Sequence, residues 1–419
     1  MLDPLTLVRG LHFAATLLAS GTVSFIGLIA LHAVAVKMPA DVIILRGRLT
    51  VVIWLALAAA VLSGAAWLVL LASDILGASF ADVCLHGGAW PILVDTRFGM
   101  VWCVRFILAV LLALLVFVRA ARSVQIAVAS GFVALPALVG HAGATPGMAG
   151  NIHLVSDMMH LLAAGAWLGG LPAFVLSLWQ AQRAASPPWR NFAVQATHRF
   201  SVLGILSVGI LLASGLTNSW YLLSGPRDLV TSDYGRLVTL KIGLFAAMVA
   251  IATVNRFYLT PRLPEPAALR ALQRNGLTEV GLGLIVLMFV GMLGTLPPAA
   301  HVHTAPADVP SGAAFVHIHA PEGMAEVTID PGRAGIAEVT IRVLREDFSR
   351  FPAKEVRLTL EPPTSVSRRL EKSAIQQSDG SWRVNDITLV EPGIWTVRVI
   401  VTPDKGDAIP LDAPIVIER

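Results

Sequence analysis

Apolar runs long enough to cross a lipid bilayer dominate roughly the first 300 residues of the chain. A hydrocarbon core about 30 Å thick needs about 20 apolar residues in an α-helix. Eight runs meet this length, near residues 7–34, 49–73, 99–118, 123–141, 153–179, 200–223, 236–256 and 279–297. The pattern predicts an all-α polytopic membrane bundle of eight helices. The first run has no basic start and no small-residue cleavage site, so we expect it to be retained.

The pattern changes after Pro297 and Pro298. From about residue 313, short runs alternate apolar and polar residues, as strands with one buried face do. Seven runs are A-F-V-H-I-H-A, A-E-V-T-I-D, A-E-V-T-I-R-V-L, E-V-R-L-T-L, W-R-V-N-D-I-T-L, W-T-V-R-V-I-V-T and A-P-I-V-I-E. They predict a small all-β sandwich, Ig-like in general form. The predicted order is a membrane domain over 1–298, a linker over 299–312 and the sandwich over 313–419.

Composition and charge agree with a membrane protein. Hydrophobic residues make up 55% of the chain and charged residues 14%, with a mean hydropathy of +0.72. Basic residues follow the odd-numbered runs: Lys37, Arg46, Arg48, Arg119, Arg122, Arg183, Arg190, Arg256, Arg262, Arg270 and Arg274. The positive-inside rule makes these loops cytoplasmic and predicts that both termini and the sandwich lie outside the cytoplasm. The net charge of +4 expresses this bias and gives no support to nucleic-acid binding.

The membrane part contains an internal repeat. His12 and His160 each stand nine residues before a glycine, and a Ser-Gly pair recurs in the second and sixth runs. T-R-F-G-M-V-W-C-V-R, from residue 96, matches S-D-Y-G-R-L-V-T-L-K, from residue 232. We predict two four-helix copies, at about 5–141 and 153–297, related by an axis along the membrane normal. Such an arrangement often places a site between the copies.

Three ionisable residues interrupt the fifth apolar run. His153, Asp157 and His160 are spaced so that they lie within about 60° on one helix face. Ionisable side chains in a membrane helix are costly and therefore indicate a functional site. Imidazole and carboxylate groups together favour metal or proton handling.

Their spacing argues against one shared ion. His153 and His160 are about 10 Å apart along the helix axis, whereas metal–nitrogen bonds are about 2 Å long. We expect two levels: an outer one of His153 with His141, and a deeper one of His160 with its repeat counterpart His12. Asp157 could serve either level.

Two basic residues, Arg105 and Lys241, lie about 9 Å inside the predicted outer edge of the membrane. They could extend their charged ends outward to water, or they could neutralise Asp157, which is the functional interpretation that we favour.

Sulfur and further imidazole groups extend the candidate set. Met148 and Met159 lie close to the histidines in sequence, and thioether favours Cu(I), which shifts the expectation slightly from zinc toward copper. Additional candidate ligands on the predicted outer side are His301, His303, His317 and His319.

These residues carry a resemblance to a known family. H-L-V-S-D-M-M-H-L-L-A-A-G-A-W-L-G-G-L, Y-G-R-L-V-T-L-K-I, the Asn255-Arg256 pair and the G-H-A end of the fourth run resemble the CopD family of copper-resistance and copper-import proteins, over roughly residues 5–300. The sandwich resembles copper-associated β domains of the CopC or YtkA-like kind. The resemblance implies an inner-membrane protein that moves periplasmic copper inward and that meets a CopC-type periplasmic partner.

The sequence thus favours a copper permease that passes Cu(I) or Cu(II) by ligand exchange. We expect no enzyme, because no nucleophile–base arrangement or phosphate loop is present in the sequence. Two alternatives stay open: an electron-transfer protein with b-type haem between helix histidines, and a non-transporting copper sensor or metallation factor.

Overall fold

The computed structural model describes residues 3–33, 39–76, 78–140, 147–184, 186–223, 225–296, 309–320, 323–345, 349–362, 369–404 and 406–418. The chain divides into two compact units, Met1–His301 and Val302–Arg419. The first is helical and the second is all-β, which confirms the predicted fold class. The predicted ligands His141, His301 and His303 lie outside the described residues.

Thirteen α-helices occur in the described part of the first unit. They are α1 (Pro4–Phe25), α2 (Leu31–Ala33), α3 (Pro39–Leu76), α4 (Phe80–His86), α5 (Ala89–Asp95), α6 (Arg97–Phe117), α7 (Arg122–Ala134), α8 (Gly147–Trp167), α9 (Leu171–Ala184), α10 (Pro187–Leu222), α11 (Asp228–Thr231), α12 (Asp233–Val254) and α13 (Pro266–Leu293). A π-helical turn, Ile26–Ala30, joins α1 to α2, and another, Asn255–Leu259, follows α12. Short 3-10 turns cover Leu135–Val139 and Thr260–Arg262.

Eight segments of these described helices are long and apolar enough to span a membrane, as predicted. They are α1–α2, α3, α6, α7, α8–α9, α10, α12 and α13 with their attached turns. Three of them begin ten or more residues before the apolar runs: α3 at Pro39, α10 at Pro187 and α13 at Pro266. A hydropathy scan detects only the lipid-compatible part of a helix, whereas the backbone hydrogen bonds continue through the more polar residues before it.

The first and fifth membrane spans are in close backbone contact at two glycine residues. A methyl group added to Gly21 of α1 would lie 2.1 Å from the carbonyl carbon of Gly169, and one added to Gly169 would lie 2.0 Å from the carbonyl oxygen of Leu17. Small residues allow membrane helices to approach backbone to backbone in this way. Gly21 and Gly169 hold the same place in the two predicted copies, so equivalent residues of the copies touch each other.

The strongest sequence match between the copies has a local cause. Thr96 Oγ1 accepts a hydrogen bond from the Gly99 N–H (3.0 Å) at the start of α6, and Ser232 Oγ accepts one from the Gly235 N–H (2.9 Å) at the start of α12. A hydroxyl at this position caps a helix. Methyl groups at Gly99 and Gly235 would collide with the carbonyl group of the segment before each helix. The cap and the close approach together require the hydroxyl-x-x-Gly pattern.

Nine strands form two antiparallel sheets in the described part of the second unit. The strands are β1 (Ala314–Ala320), β2 (Gly323–Asp330), β3 (Gly335–Leu344), β4 (Ala353–Glu361), β5 (Leu370–Ser373), β6 (Ile375–Gln376), β7 (Trp382–Leu389), β8 (Gly393–Pro403) and β9 (Ile409–Ile417). Their orders are β1-β2-β3-β7-β6 and β5-β4-β8-β9. Alternate residues of both sheets are buried in one core, for example Val339 and Ile341 on β3 and Val397 and Val399 on β8. All seven predicted strands are present; β5 and β6 are too short for an alternating pattern to indicate them.

We expect Gly21→Ala to destabilise the membrane unit by about 1–3 kcal/mol, the usual cost of overpacking. The added methyl group meets backbone atoms, which cannot rotate away, so the two helices must separate. Thermal unfolding of the full-length protein in detergent measures the effect. Gly209→Ala is the matched control, because nothing lies within 4 Å of a methyl group there. Equal stability of the two variants would contradict the role of the crossing.

Candidate functional site

The two histidines of the predicted deeper level occupy equivalent positions against different helices. His12 Nδ1 lies 3.0 Å from the carbonyl oxygen of Ala60 and 3.2 Å from Ser63 Oγ, both on α3. His160 Nδ1 lies 2.9 Å from Ser214 Oγ on α10. The recurring Ser-Gly pair noted in the sequence is therefore part of the site, although its hydroxyl was not predicted to hold a histidine.

The hydrogen bonds assign the proton on each imidazole. A carbonyl oxygen only accepts, so His12 Nδ1 carries the hydrogen that it donates to Ala60. The Ser214 hydroxyl donates its own hydrogen to the Ile210 carbonyl oxygen at 2.6 Å, so its oxygen accepts from His160 Nδ1. In a neutral ring this leaves the lone pair on Nε2. Fixing one ring nitrogen by a hydrogen bond is how proteins orient a histidine for metal binding through the other nitrogen.

The surroundings of His12 are aromatic and basic. Its ring stacks on Trp102, with centroids 5.5 Å apart and planes at 23°, and meets Trp67 edge-on at 5.6 Å. Arg105 is the charged neighbour that acts on His12. Its buried guanidinium donates to Thr16 Oγ1 at 3.1 Å and lies 5.1 Å from the Trp102 ring. Arg105 Nε and Nη1 have no hydrogen-bond partner among the described residues.

The surroundings of His160 are acidic as well as basic. Asp157 Oδ1 accepts a hydrogen bond from Asn218 Nδ2 on α10 at 3.0 Å. Lys241 on α12 interacts electrostatically with both Asp157 and His160. A methyl group at Gly140, the residue after the 3-10 turn that follows α7, would lie 3.9 Å from Asp157 Oδ2. Four segments thus surround this carboxylate.

The structure therefore distributes the two predicted charge partners differently. Lys241 interacts electrostatically with Asp157 and is one of the two charge partners that the sequence offered for it. The contacts of Arg105 are with Thr16 and the rings of Trp102 and Phe132, beside His12. Three residues before the histidine, the second copy has Asp157 and the first copy has Arg9. The two copies share a scaffold and differ in charge.

His153 lies one level away from His160 on the same pair of helices. Its buried ring stacks on Tyr221 of α10, with centroids 4.7 Å apart and planes at 14°. Tyr221 follows Ser214 by seven residues, the same spacing as His153 and His160. The two histidines thus face α10 at successive levels.

The remaining candidates are not gathered at one point. Met148 is 75% exposed and Met159 is 40% exposed. Within the described residues, no three His, Cys, Asp or Glu side chains are close enough to hold one metal ion. These residues therefore form no preformed metal cage within the described part of the chain.

Two sandwich histidines lie in the β1–β2 ladder. His317 is opposite Glu326, with Nδ1 3.7 Å from Oε1, and His319 is opposite Met324 in the backbone register. His86, an exposed residue of α4, bonds through Nδ1 to the Asp82 carbonyl oxygen at 3.0 Å.

Sequence comparisons identify the family. Residues 1–151 match the family "Copper resistance protein D-like, N-terminal domain", and residues 194–293 match "Copper resistance protein D". The inner membrane protein YebZ of Escherichia coli (strain K12) is 33% identical over 230 residues, which cover 54% of this chain and 77% of YebZ. This chain belongs to the copper resistance protein D family. It is a multi-pass, copper-related membrane protein.

Two further relatives carry copper in their names. The copper transport protein CutJ of Bacillus subtilis (strain 168) is 27% identical over 323 residues, 73% of this chain but only 56% of CutJ. Copper resistance protein D of Pseudomonas syringae pv. tomato is 29% identical over 247 residues, 55% of this chain and 78% of that protein. No solved structure matches the chain.

We expect Asp157 and Lys241 to be energetically coupled. In a double-mutant cycle of Asp157→Asn and Lys241→Met, the unfolding free energies should deviate from additivity by about 0.5–3 kcal/mol, because the two charges interact. Either single change leaves the other charge in a low-dielectric interior without its neighbour. Chemical or thermal unfolding in detergent measures the four free energies.

The control cycle pairs Asp157→Asn with Arg105→Met. Because Arg105 acts on His12 in the other copy, these two changes should add within experimental error. A coupling of Asp157 to Arg105 as large as that to Lys241 would contradict the assignment.

Proposed function

We propose that this protein is a copper permease, with copper as its substrate, and that His153, Asp157 and His160 of the second copy carry the ion. The observation that supports this most strongly is the pair formed by His160 and Asp157. The Ser214 hydroxyl orients the imidazole so that its Nε2 lone pair is available, and the half-buried carboxylate of Asp157 lies one turn away on the same helix. Two relatives are named as copper transport and copper resistance proteins, which supports copper as the ion.

The local charges favour the second copy over the first as the place where a copper cation binds. A copper cation beside His160 meets the carboxylate of Asp157, which offsets the charge of Lys241. A copper cation beside His12 meets the guanidinium of Arg105, and like charges repel strongly where the dielectric constant is low. We therefore assign transfer to the His160 side; the expectation from the sequence that His12 is a second ligand is not part of this proposal.

We propose that transfer proceeds inward by exchange between ligands at successive levels. The spacing of His153 and His160 along α8 separates them by about 10 Å, so an ion leaves one imidazole before the other binds it. Asp157 lies between them in sequence and attracts the cation during the step. The chain's residues bind and release an ion in this scheme; no bond of a substrate molecule is made or broken, so we propose no enzyme activity.

The proposed orientation places this site near the outer face. Basic loops on the cytoplasmic side put both ends of the eight-span unit outside, together with the sandwich. The β1–β2 ladder offers His317 and Glu326 there, beside His319 and Met324 in register. We propose that this ladder accepts copper from a periplasmic copper-binding protein of the CopC type.

The test compares His160→Ala with His12→Ala, which alter equivalent positions. We expect His160→Ala to weaken copper binding and uptake by at least about 10- to 100-fold, the loss that follows removal of even a hydrogen-bond partner of a metal ligand. His12→Ala should retain most of both activities. Copper content of the purified protein and copper uptake into sealed vesicles are the two measurements.

Three outcomes would overturn the proposal. Unchanged copper binding and uptake in His160→Ala would show that His160 is not a copper ligand. Copper binding without uptake in sealed vesicles would indicate a sensor or metallation factor. A Soret band with a two-histidine haem spectrum in the purified protein would indicate electron transfer.

A further inference from the structure

A buried acid lies on another helix of the membrane unit, α13. Glu279 of α13 is 3% exposed. The eighth apolar run of the sequence starts at this residue, so the sequence predicts the acid at the edge of a membrane span. The helix instead begins at Pro266, which places Glu279 in its interior.

Two asparagines form the polar environment of this carboxyl group. Asn255 Nδ2 donates to Glu279 Oε2 at 3.4 Å, and Asn275 Nδ2 donates to Asn255 Oδ1 at 2.7 Å. Asn255 begins the π-helical turn after α12, and its carbonyl oxygen accepts a hydrogen bond from Thr260 Oγ1 at 2.7 Å. The irregular turn thus directs the Asn255 amide at Glu279. Such π-turns occur frequently at functional sites.

The other carboxyl oxygen has no partner. Glu279 Oε1 is buried and forms no hydrogen bond with any described residue. An ionised carboxylate with a bare oxygen in a low-dielectric interior is destabilised by several kcal/mol unless a cation accompanies it. Intramembrane acids of this kind are typical of proton and ion pathways.

No neighbouring cation is directed at Glu279 among the described residues. The nearby helices do carry basic groups, and each has another environment. Arg9 of α1 donates to the Gly294 carbonyl oxygen, Arg183 of α9 lies over the Trp179 ring, Arg256 of the π-turn donates to Ser201, Lys241 of α12 acts on Asp157, and Arg270 and Arg274 of α13 are exposed. The ion that neutralises the carboxylate must therefore come from solution.

We propose that Glu279 is a reversible proton-binding site, reached from the side of the basic loops past Asn275 and Asn255. Asn275 lies one turn closer than Glu279 to the start of α13, and Arg274 is only about 7.5 Å from Glu279 along the axis. On loading, an O–H bond forms at Oε1 with a proton from hydronium, which leaves water; on unloading, water takes the proton back. A metal cation fits poorly, because Oε1 is the one buried oxygen of Glu279, Asn255 and Asn275 that has no hydrogen bond among the described residues, and hard cations require several oxygen ligands.

A proton that binds Glu279 reversibly supplies a coupling ion for the permease. This last point rests on the proposed function, because it requires that copper be transported. The proton site itself does not, and its test contains no copper.

Infrared difference spectroscopy of the full-length protein in lipid bilayers tests the site directly. Spectra at acid and alkaline pH should show the carbonyl stretch of a protonated carboxyl group, with the frequency shift that deuterium exchange produces. We expect Glu279→Gln to lose one such band. Glu265→Gln, which changes the exposed carboxyl group just before the same helix, should retain it.

Additional variants keep the result interpretable. Asn255→Leu should shift the frequency of the band without removing it, because the carboxyl group stays and its donor is lost. A band that persists in Glu279→Gln and disappears in Asp157→Asn would overturn the proposal and assign the proton to the outer site. A band that disappears in wild-type protein when sodium replaces choline would identify a metal-cation site instead. Size-exclusion chromatography and circular dichroism verify that each variant is folded.

Discussion

The close crossing of α1 with the turn between α8 and α9 holds the helical unit together. Lipid chains are as apolar as leucine side chains, so membrane helices gain little from hydrophobic burial against each other and depend on close packing. Gly21 and Gly169 permit that packing because neither carries a side chain between the backbones. α1 also packs against α3, α7 and α13. The position of His12 relative to α3, and of His160 relative to α10, follows from this arrangement.

The two predicted copies contain the same histidine–serine pair in different surroundings. The Ser63 and Ser214 hydroxyls each donate to a carbonyl oxygen of their own helix and present an oxygen to an imidazole. In the first copy, Trp67 and Trp102 pack on the imidazole, and Arg105 makes its surroundings electropositive. The second copy adds a carboxylate. This negative charge beside the imidazole is the main difference between the two copies. Charge interactions are little screened where the dielectric constant is low, so this difference outweighs the similarity of the hydrogen bonds.

The membrane unit contains two regions of polar side chains, one around His153 and His160 and one around Glu279, and their chemistry differs. The His153–His160 region combines imidazoles with one carboxylate, a ligand set that suits copper and similar ions. The Glu279 region combines a carboxylate with amides, a set without a soft donor. A transported metal and a coupling proton therefore need not compete for one site. Each region is built on an irregular or closely packed part of the helix bundle, where backbone groups can be satisfied inside the protein.

Length and periodicity in the sequence were enough to predict the eight spans and seven of the strands, because lipid thickness and strand alternation act on local stretches of chain. The same local spacing placed His153, Asp157 and His160 on one helix face. Local rules could not decide whether Asp157 would meet Arg105 or Lys241, nor that Ser214 would orient His160. They also treated Glu279 as the end of a span. The outcomes for Asp157 and His160 join residues more than 50 positions apart, such as His160 with Ser214, and only the packing of the helices determines which side chains share a low-dielectric site.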